Sequence, residues 1–308
     1  MRTLPLILVL VLILSGCGSD SATEVIALSH LEPLPATAPA DIVPLRVAVA
    51  AVISPRGTIA SYQPLLDYMS DRLHRPIELV QRRTYGEIND LVATGEVDIA
   101  FVCTGAYVVG RQQGGMELLV APQVNGAALY YSYLIVPAGS PANSLADLRG
   151  KVFAFTDPMS TTGRLYPTSL VQTLGETPDT FFARTFFTYS HDKAIEAVAN
   201  GVADGAAVDS LVYDFAVSRD PSLAQKVRII HRSPAFGTPP VVVTPSIRPQ
   251  LRAELEDLLL SLPDTATGRA ALTAIGVDRF VPVSDRDYDS VRALVLKTGF
   301  NLAASPGE

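Results

Sequence analysis

Two stretches of this chain lie over one another without a gap. TYGEINDLVATGEVDIAFVCTGAYV (84–108) matches SHDKAIEAVANGVADGAAVDSLVYD (190–214) in a pattern of helix, turn, apolar strand and helix. Gly95 falls on Gly201, Asp98 on Asp204, Val102 on Val208 and Tyr107 on Tyr213, each at an offset of 106 (201 − 95). The same shift pairs Ser54 with Ser160, Tyr85 with His191 and Cys103 with Asp209. Strands alternating with helices build an α/β layer with a largely parallel sheet. Two copies of such a unit imply two lobes of like topology facing each other. Ligands in such sheets sit at the carboxyl ends of the strands. The pairing therefore sets Ser54, Tyr85 and Cys103 on one lobe opposite Ser160, His191 and Asp209 on the other.

The elements follow from period and punctuation. LRVAVAAVI (45–53) is a Val-rich apolar run expected as a buried strand. SYQPLLDYMSDRLHR (61–75) is expected as a helix with Pro64 in its first turn, where proline is tolerated. Gly95 is expected to close the helix of 85–94. LYYSYLIVP (129–137) and HRSPAFGTPPVVVTP (231–245) read as the outward and return crossings between lobes. The expected domains are 44–133 with 238–308 for the first lobe, and 134–237 for the second.

The start of the chain speaks to compartment. Arg2, an apolar run too short to span a bilayer, and Leu14-Ser15-Gly16-Cys17 resemble a bacterial lipoprotein leader. The expectation is a signal peptide over 1–16, a lipidated Cys17, and a Pro- and Ala-containing linker over 17–43. Removing Arg2 takes the 24 basic residues to 23 against 31 acidic ones, a formal charge of −8. A surface of that sign argues against nucleic-acid binding. Cys103 is then the one cysteine without a lipid, so no internal disulfide is expected.

The chemistry gathers at FAFTDPMSTTGRLYPTSL (153–170). A strand ends, and Ser160, Thr161, Thr162 and Gly163 open a helix. The first N–H groups of a helix lack internal acceptors, and its dipole is positive there. Three hydroxyls and a glycine at that point suit a tetrahedral oxyanion. No Gly-Lys-Ser/Thr follows, so this is not a P-loop. His191 opens a helix, with its cationic form disfavoured by the dipole. Asp209 ends a buried strand, where its carboxylate can cap the next helix, accept a ligand proton or pair with a ligand amine. Cys103 and Thr104 lie at the matching point of the first lobe, where a helix N-terminus is expected to lower the thiol pKa. Tyr85 opens a helix. The tyrosines at 85, 107, 130, 131 and 133 could ligate Fe(III), but core packing explains most of them, and no cofactor or metal is expected. A Cys103–His191 hydrolase would need both groups on one lobe and an oxyanion hole aimed at a carbonyl, so the reading is not an enzyme.

GKVFAFTDPMSTTGRLYP, YSHDKAIEAVANGVADGAAVDSLVYD, VDIAFVCTGAYV and YYSYLIVPAGSPANSLADLRG together resemble the phosphonate/phosphite-type periplasmic binding proteins of ABC transporters, over about residues 45–300. That resemblance implies a two-lobed α/β clamp of periplasmic-binding-protein type II. It implies oxyanion contacts from Ser160, Thr161, Thr162 and His191, with Tyr85 and Tyr130 from the other lobe and a weaker role for Asp209. It also implies an ABC transporter permease as partner; the protein is expected to be a monomer, tethered to the membrane through the lipid on Cys17. CTGAYV departs from the GPAAYV of many transport members. Cys103 resembles instead a branch of receptors for sensor histidine kinases, some responsive to arsenite, and the alternative of such a receptor stays open.

Overall fold

The computed structural model describes residues 43–300; the expected leader, Cys17 and all but the last residue of the expected linker lie outside them. Thirteen strands are present among the described residues: β1 Leu45–Val49, β2 Ile77–Val80, β3 Ile99–Phe101, β4 Glu117–Gln123, β5 Leu129–Tyr130, β6 Ser132–Pro137, β7 Val152–Phe155, β8 Arg184–Phe187, β9 Gly205–Asp209, β10 Val227–Arg232, β11 Phe236–Gly237, β12 Val241–Val243 and β13 Arg279–Val281. The helices are α1 Pro55–Leu73, α2 Tyr85–Thr94, α3 Thr104–Gln112, α4 Tyr166–Thr173, α5 Pro178–Phe181, α6 His191–Ala199, α7 Ser210–Arg219, α8 Leu223–Lys226, α9 Pro249–Leu260, α10 Ala266–Ile275 and α11 Asp289–Thr298.

They form two mixed sheets. The first has the order β13-β4-β12-β3-β1-β2, and the second β10-β6-β9-β7-β8. β1 runs parallel to β2 and β3, and β7 parallel to β8 and β9. Antiparallel partners extend each parallel trio: β12 beside β3, then β4 and β13, and β6 beside β9, then β10. Four of six strands in one sheet and four of five in the other thus point the same way. The order β2-β1-β3-β12-β4 repeats as β8-β7-β9-β6-β10, so the sequence repeat is a repeat of topology. Its 106-residue offset carries Ile99 at the start of β3 onto Gly205 of β9, Tyr85 of α2 onto His191 of α6, and Thr104 of α3 onto Ser210 of α7.

Both faces of each central strand are buried, because helices cover both. In β1, Leu45, Val47 and Val49 enter one core and Ala48 the other. In β7, Phe153 and Phe155 divide from Ala154 in the same way. The matched aspartates explain themselves here. Asp98 Oδ2 accepts the Arg46 N–H at 2.8 Å, and Asp204 Oδ2 accepts the Val152 N–H at 2.8 Å, each pinning the first turn of pairing in its sheet. Gly95 and Gly201 end α2 and α6 at φ 73° and 71°, the left-handed conformation that glycine adopts at no steric cost.

The crossings meet one another. β5 and β11 pair antiparallel, Tyr130 opposite Phe236 and Leu129 opposite Gly237, as a short ribbon between the sheets. α1 differs from expectation. It begins at Pro55 behind the N-cap Ser54, which moves Pro64 from the first turn into the helix interior. Ser-Pro is itself a helix-start signal. The missing Pro64 N–H is offset by the burial of Leu65, Leu66 and Met69 that follow it.

Candidate functional site

Six strand-to-helix junctions face the cleft between the lobes. Their N-caps are Ser54, Thr84 and Cys103 on one lobe, and Ser160, Ser190 and Asp209 on the other. α2 starts where it does because Thr84 and Glu87 form a reciprocal capping box, with the Glu87 N–H to Thr84 Oγ1 at 3.2 Å and the Thr84 N–H to Glu87 Oε2 at 2.9 Å. Thr161–Leu165 form one turn of wide π-helix before α4. Arg164 N–H and Leu165 N–H both return to the Ser160 carbonyl, at 3.1 and 2.9 Å. Gly163 is required at its position. A Cβ there would stand 1.8 Å from Thr156 Oγ1.

The lobes are held face to face by bonds from helix ends. The Tyr85 N–H donates to Asp157 Oδ2 at 3.0 Å, the Ser54 N–H to Asp192 Oδ1 at 2.9 Å, and the His191 N–H to the Val52 carbonyl at 2.9 Å. Gly105 lies directly against the Met159 carbonyl, which a Cβ at 105 would approach to 2.1 Å. The sequence reading missed Asp157 and Gly105. Asp157 carried a signal as an acid two residues past a strand end, but its partner, 72 residues away, did not.

Inside this closure the hydroxyls gather. Tyr85, Tyr130, Ser160, Thr161 and Thr162 are fully buried. The side-chain hydroxyls of Tyr85, Tyr130, Thr161 and Thr162 have no hydrogen-bond partner among the described residues. Buried polar groups are normally paired, and these hydroxyls, with that of Thr156 against Gly163, are exceptions. Ser160 Oγ accepts the Gly163 N–H at 3.0 Å, which leaves its own proton free to donate. His191 Nδ1 accepts the Asp209 N–H at 3.0 Å, so its proton resides on Nε2, 3.4 Å from Ser160 Oγ. Burial holds the imidazole neutral by lowering its pKa to about 3. Burial also raises Tyr85 and Tyr130 well above the ordinary phenol value, so both stay protonated donors.

Thr104 and Asp209 are partly committed to structure. The Thr104 hydroxyl donates to the Gly237 carbonyl at 3.1 Å, which ties α3 to the ribbon. Asp209 Oδ1 caps α7 by accepting the Leu211 and Val212 N–H groups at 2.7 and 3.4 Å. Burial raises this carboxyl to about 7. Cys103 overturns one expectation. Its thiol is not acidified: burial raises it to about 11, against the opposing pull of the Thr161 and Gly105 N–H groups. Desolvation outweighs the helix end because the thiol is 3% exposed. The other tyrosines sit elsewhere: Tyr107 packs on Tyr288, Tyr133 on Tyr213, and Tyr131 beneath the Arg232 guanidinium.

None of the hydroxyl-bearing residues, His191, Cys103 or Asp209 supplies a fixed positive charge. These groups form a set of buried neutral donors with no ion pair among them.

The chain is similar to known proteins over most of its length. The family model for the periplasmic substrate-binding protein of phosphonate ABC transporters matches residues 47–288. The chain is 28% identical over 260 residues to a phosphate-import protein of Mycolicibacterium smegmatis, covering 78% of this chain and 81% of the relative. It is 25% identical over 257 residues to the phosphonates-binding periplasmic protein of Escherichia coli, covering 82% and 76%. Among solved structures, a binding component of a Pseudomonas aeruginosa phosphonate transporter superposes with a TM-score of 0.79 at 22% identity, covering 86% of this chain and 91% of that one. A Prochlorococcus marinus protein in complex with methylphosphonate gives 0.76 at 18% identity, covering 83% and 98%. The fold is that of a two-lobed periplasmic binding protein, and the chain belongs to the family of periplasmic substrate-binding proteins of phosphonate ABC transporters.

Proposed function

We propose that this protein captures a phosphorus oxyanion (phosphonate, phosphite or phosphate) between its lobes and delivers it to an ABC transporter permease. Ser160, Thr161, Thr162 and His191 grip the oxygens from one lobe, and Tyr85 and Tyr130 from the other, with Asp209 and Cys103 bordering the ligand. In this reading the first lobe is 44–133 with 238–308 and the second is 134–237. The protein acts as a monomer tethered through a lipidated Cys17 after removal of residues 1–16. The names of the relatives support the ligand class: one is a phosphate-import protein, another binds phosphonates, and a third was solved with methylphosphonate.

One observation carries the reading: of the buried side-chain hydroxyls without a protein partner among the described residues, all but that of Thr156 belong to Tyr85, Tyr130, Thr161 and Thr162. Micromolar binding requires about 8 kcal/mol. Four to six hydrogen bonds to a charged acceptor, at about 1.5–3 kcal/mol each, reach that figure before association costs. A receptor that captures arsenite through Cys103 gains no support, because the thiol is held protonated and has no second thiol beside it among the described residues.

Titration calorimetry with phosphate, phosphite, methylphosphonate and aminoethylphosphonate tests the proposal, and at least one should bind at micromolar or lower concentration. Thr161→Val should weaken that ligand roughly tenfold or more, while the ligand-free melting temperature stays level or rises, since an unpaired buried hydroxyl gives nothing to the free fold. No heat from all four ligands at high micromolar protein sinks the proposal.

A further inference from the structure

One cavity has Asp209, the residue whose N–H holds His191, in its wall. It measures about 490 Å³ and runs between α7 and the carboxyl edge of the first sheet. Its walls are apolar: Val49 and Phe101 from β1 and β3, Leu211 and Phe215 from α7, and Phe280 from β13. Gly276, at φ 71°, lets the Phe215 ring lie across its outer end, where a Cβ would stand 2.7 Å from the ring. Among the described residues no Lys, Arg or His lines it; its charges are Asp209, Asp214 and Asp278.

Asp209 joins the two spaces. Its carboxyl borders the apolar cavity, while its N–H holds His191 in the tautomer that faces Ser160. Its charge also reaches the Tyr85 and Tyr130 hydroxyls. A tetrahedral phosphorus centre held by those hydroxyls carries one substituent that need not be oxygen. A substituent directed past Asp209 enters apolar walls of Val, Leu and Phe.

We infer that the cavity between α7 and the first sheet is a subsite for the organic substituent of the phosphonate, so that the ligand class is phosphonates bearing a neutral alkyl or aryl group larger than methyl. This rests on the oxyanion reading above and narrows it. The acidic rim rejects an anionic substituent. The walls gain by covering hydrocarbon, which is worth about a fourfold change in affinity for each fully buried methylene.

The experiment compares methyl-, propyl-, butyl- and benzylphosphonate with 3-phosphonopropionate by calorimetry on the full chain. Affinity should rise by roughly threefold or more per added methylene from methyl to butyl. 3-Phosphonopropionate should bind at least tenfold more weakly than propylphosphonate. Ser61→Phe and Ser218→Phe place bulk at the cavity wall from α1 and α7, away from the hydroxyl cluster. Each should retain methylphosphonate affinity and lose the chain-length gain. Butylphosphonate binding no tighter than methylphosphonate, or a gain that survives in both variants, overturns the subsite and leaves the oxyanion reading standing. Failure of every phosphonate together with phosphite and phosphate overturns both.

Discussion

Burial pushes the titratable groups around the hydroxyl cluster toward their neutral forms. His191 is held down to about 3, Cys103 up to about 11 and Asp209 up to about 7, each chiefly by desolvation. For an anion receptor this has a consequence at Asp209. The carboxyl faces the Leu211 and Val212 N–H groups, the Tyr85 and Tyr130 hydroxyls, the Cys103 thiol and, on its own helix, Asp214. Above pH 7 it adds a negative charge beside a negative ligand. Affinity for dimethylphosphinate, whose single charge is constant over this range, should therefore fall on the order of tenfold from pH 6 to pH 8. Asp209→Asn, which keeps a good N-cap, should flatten that profile. The stability sign agrees: a carboxyl whose folded pKa is raised stabilises most at low pH and loses its contribution as pH rises through about 7. The asparagine variant should then be the more stable protein at pH 8. A wild-type affinity that does not change with pH, or a variant that keeps the fall, rejects the assignment.

At the scale of elements, the chain declared much of itself. The 106-residue offset survives because the strand ends and helix starts are fixed by local chemistry: aspartates pin the β1 and β7 starts, and left-handed glycines end α2 and α6. The hydroxyl loop was legible because three adjacent side chains exceed what one N-cap needs. The start of α1 was less so, since the apolar stripe from Leu65 to Leu73 outweighed the Ser54-Pro55 signal upstream. The thiol was misjudged because a helix N-terminus is visible in sequence and depth of burial is not. Contacts across the cleft left no local trace, and Gly105 shows their cost. Its missing Cβ admits the Met159 carbonyl of the opposite lobe. Gly105→Ala should oppose closure and weaken ligand roughly 10- to 100-fold, since apparent affinity falls with the population of the competent state. Gly86→Ala is the matched control, because its Cβ would meet the flexible Met159 Cε at 3.5 Å and Thr84 Oγ1 at 4.0 Å, both ordinary contacts. Ligand-free circular dichroism and melting should be alike for both variants; native affinity in the Gly105→Ala variant would falsify the contact as a closure determinant.

For the whole molecule, the closing motion implied by the proposed function falls on the ribbon. β4 passes through β5 into β6, and β10 returns through β11 into β12, so both crossings use the one paired segment that belongs to neither large sheet. Tyr130 lies within it with its hydroxyl unpaired, so in the proposed reading ligand contact is linked to hinge geometry. The rest of the closure includes the polar contacts from Tyr85, Ser54 and His191, the Gln172 Nε2–H to Thr298 carbonyl bond at 3.2 Å, and a core that Leu165 shares with Tyr107, Val291 and Leu294. In the proposed reading an anion gripped from both sides adds to these contacts and shifts the molecule further toward the closed form. Solution scattering should therefore show a smaller radius of gyration with saturating ligand than without. At a hundred times the dissociation constant the bound form gains about 2.7 kcal/mol, which for a folded body of this size raises the melting temperature by roughly 5–10 °C. The rise and the compaction must occur together, because in this architecture binding and closing are one event. A ligand that raises the melting temperature while the scattering curve stays unchanged would mean that one lobe binds alone, and that Tyr85 and Tyr130 have no share in the grip.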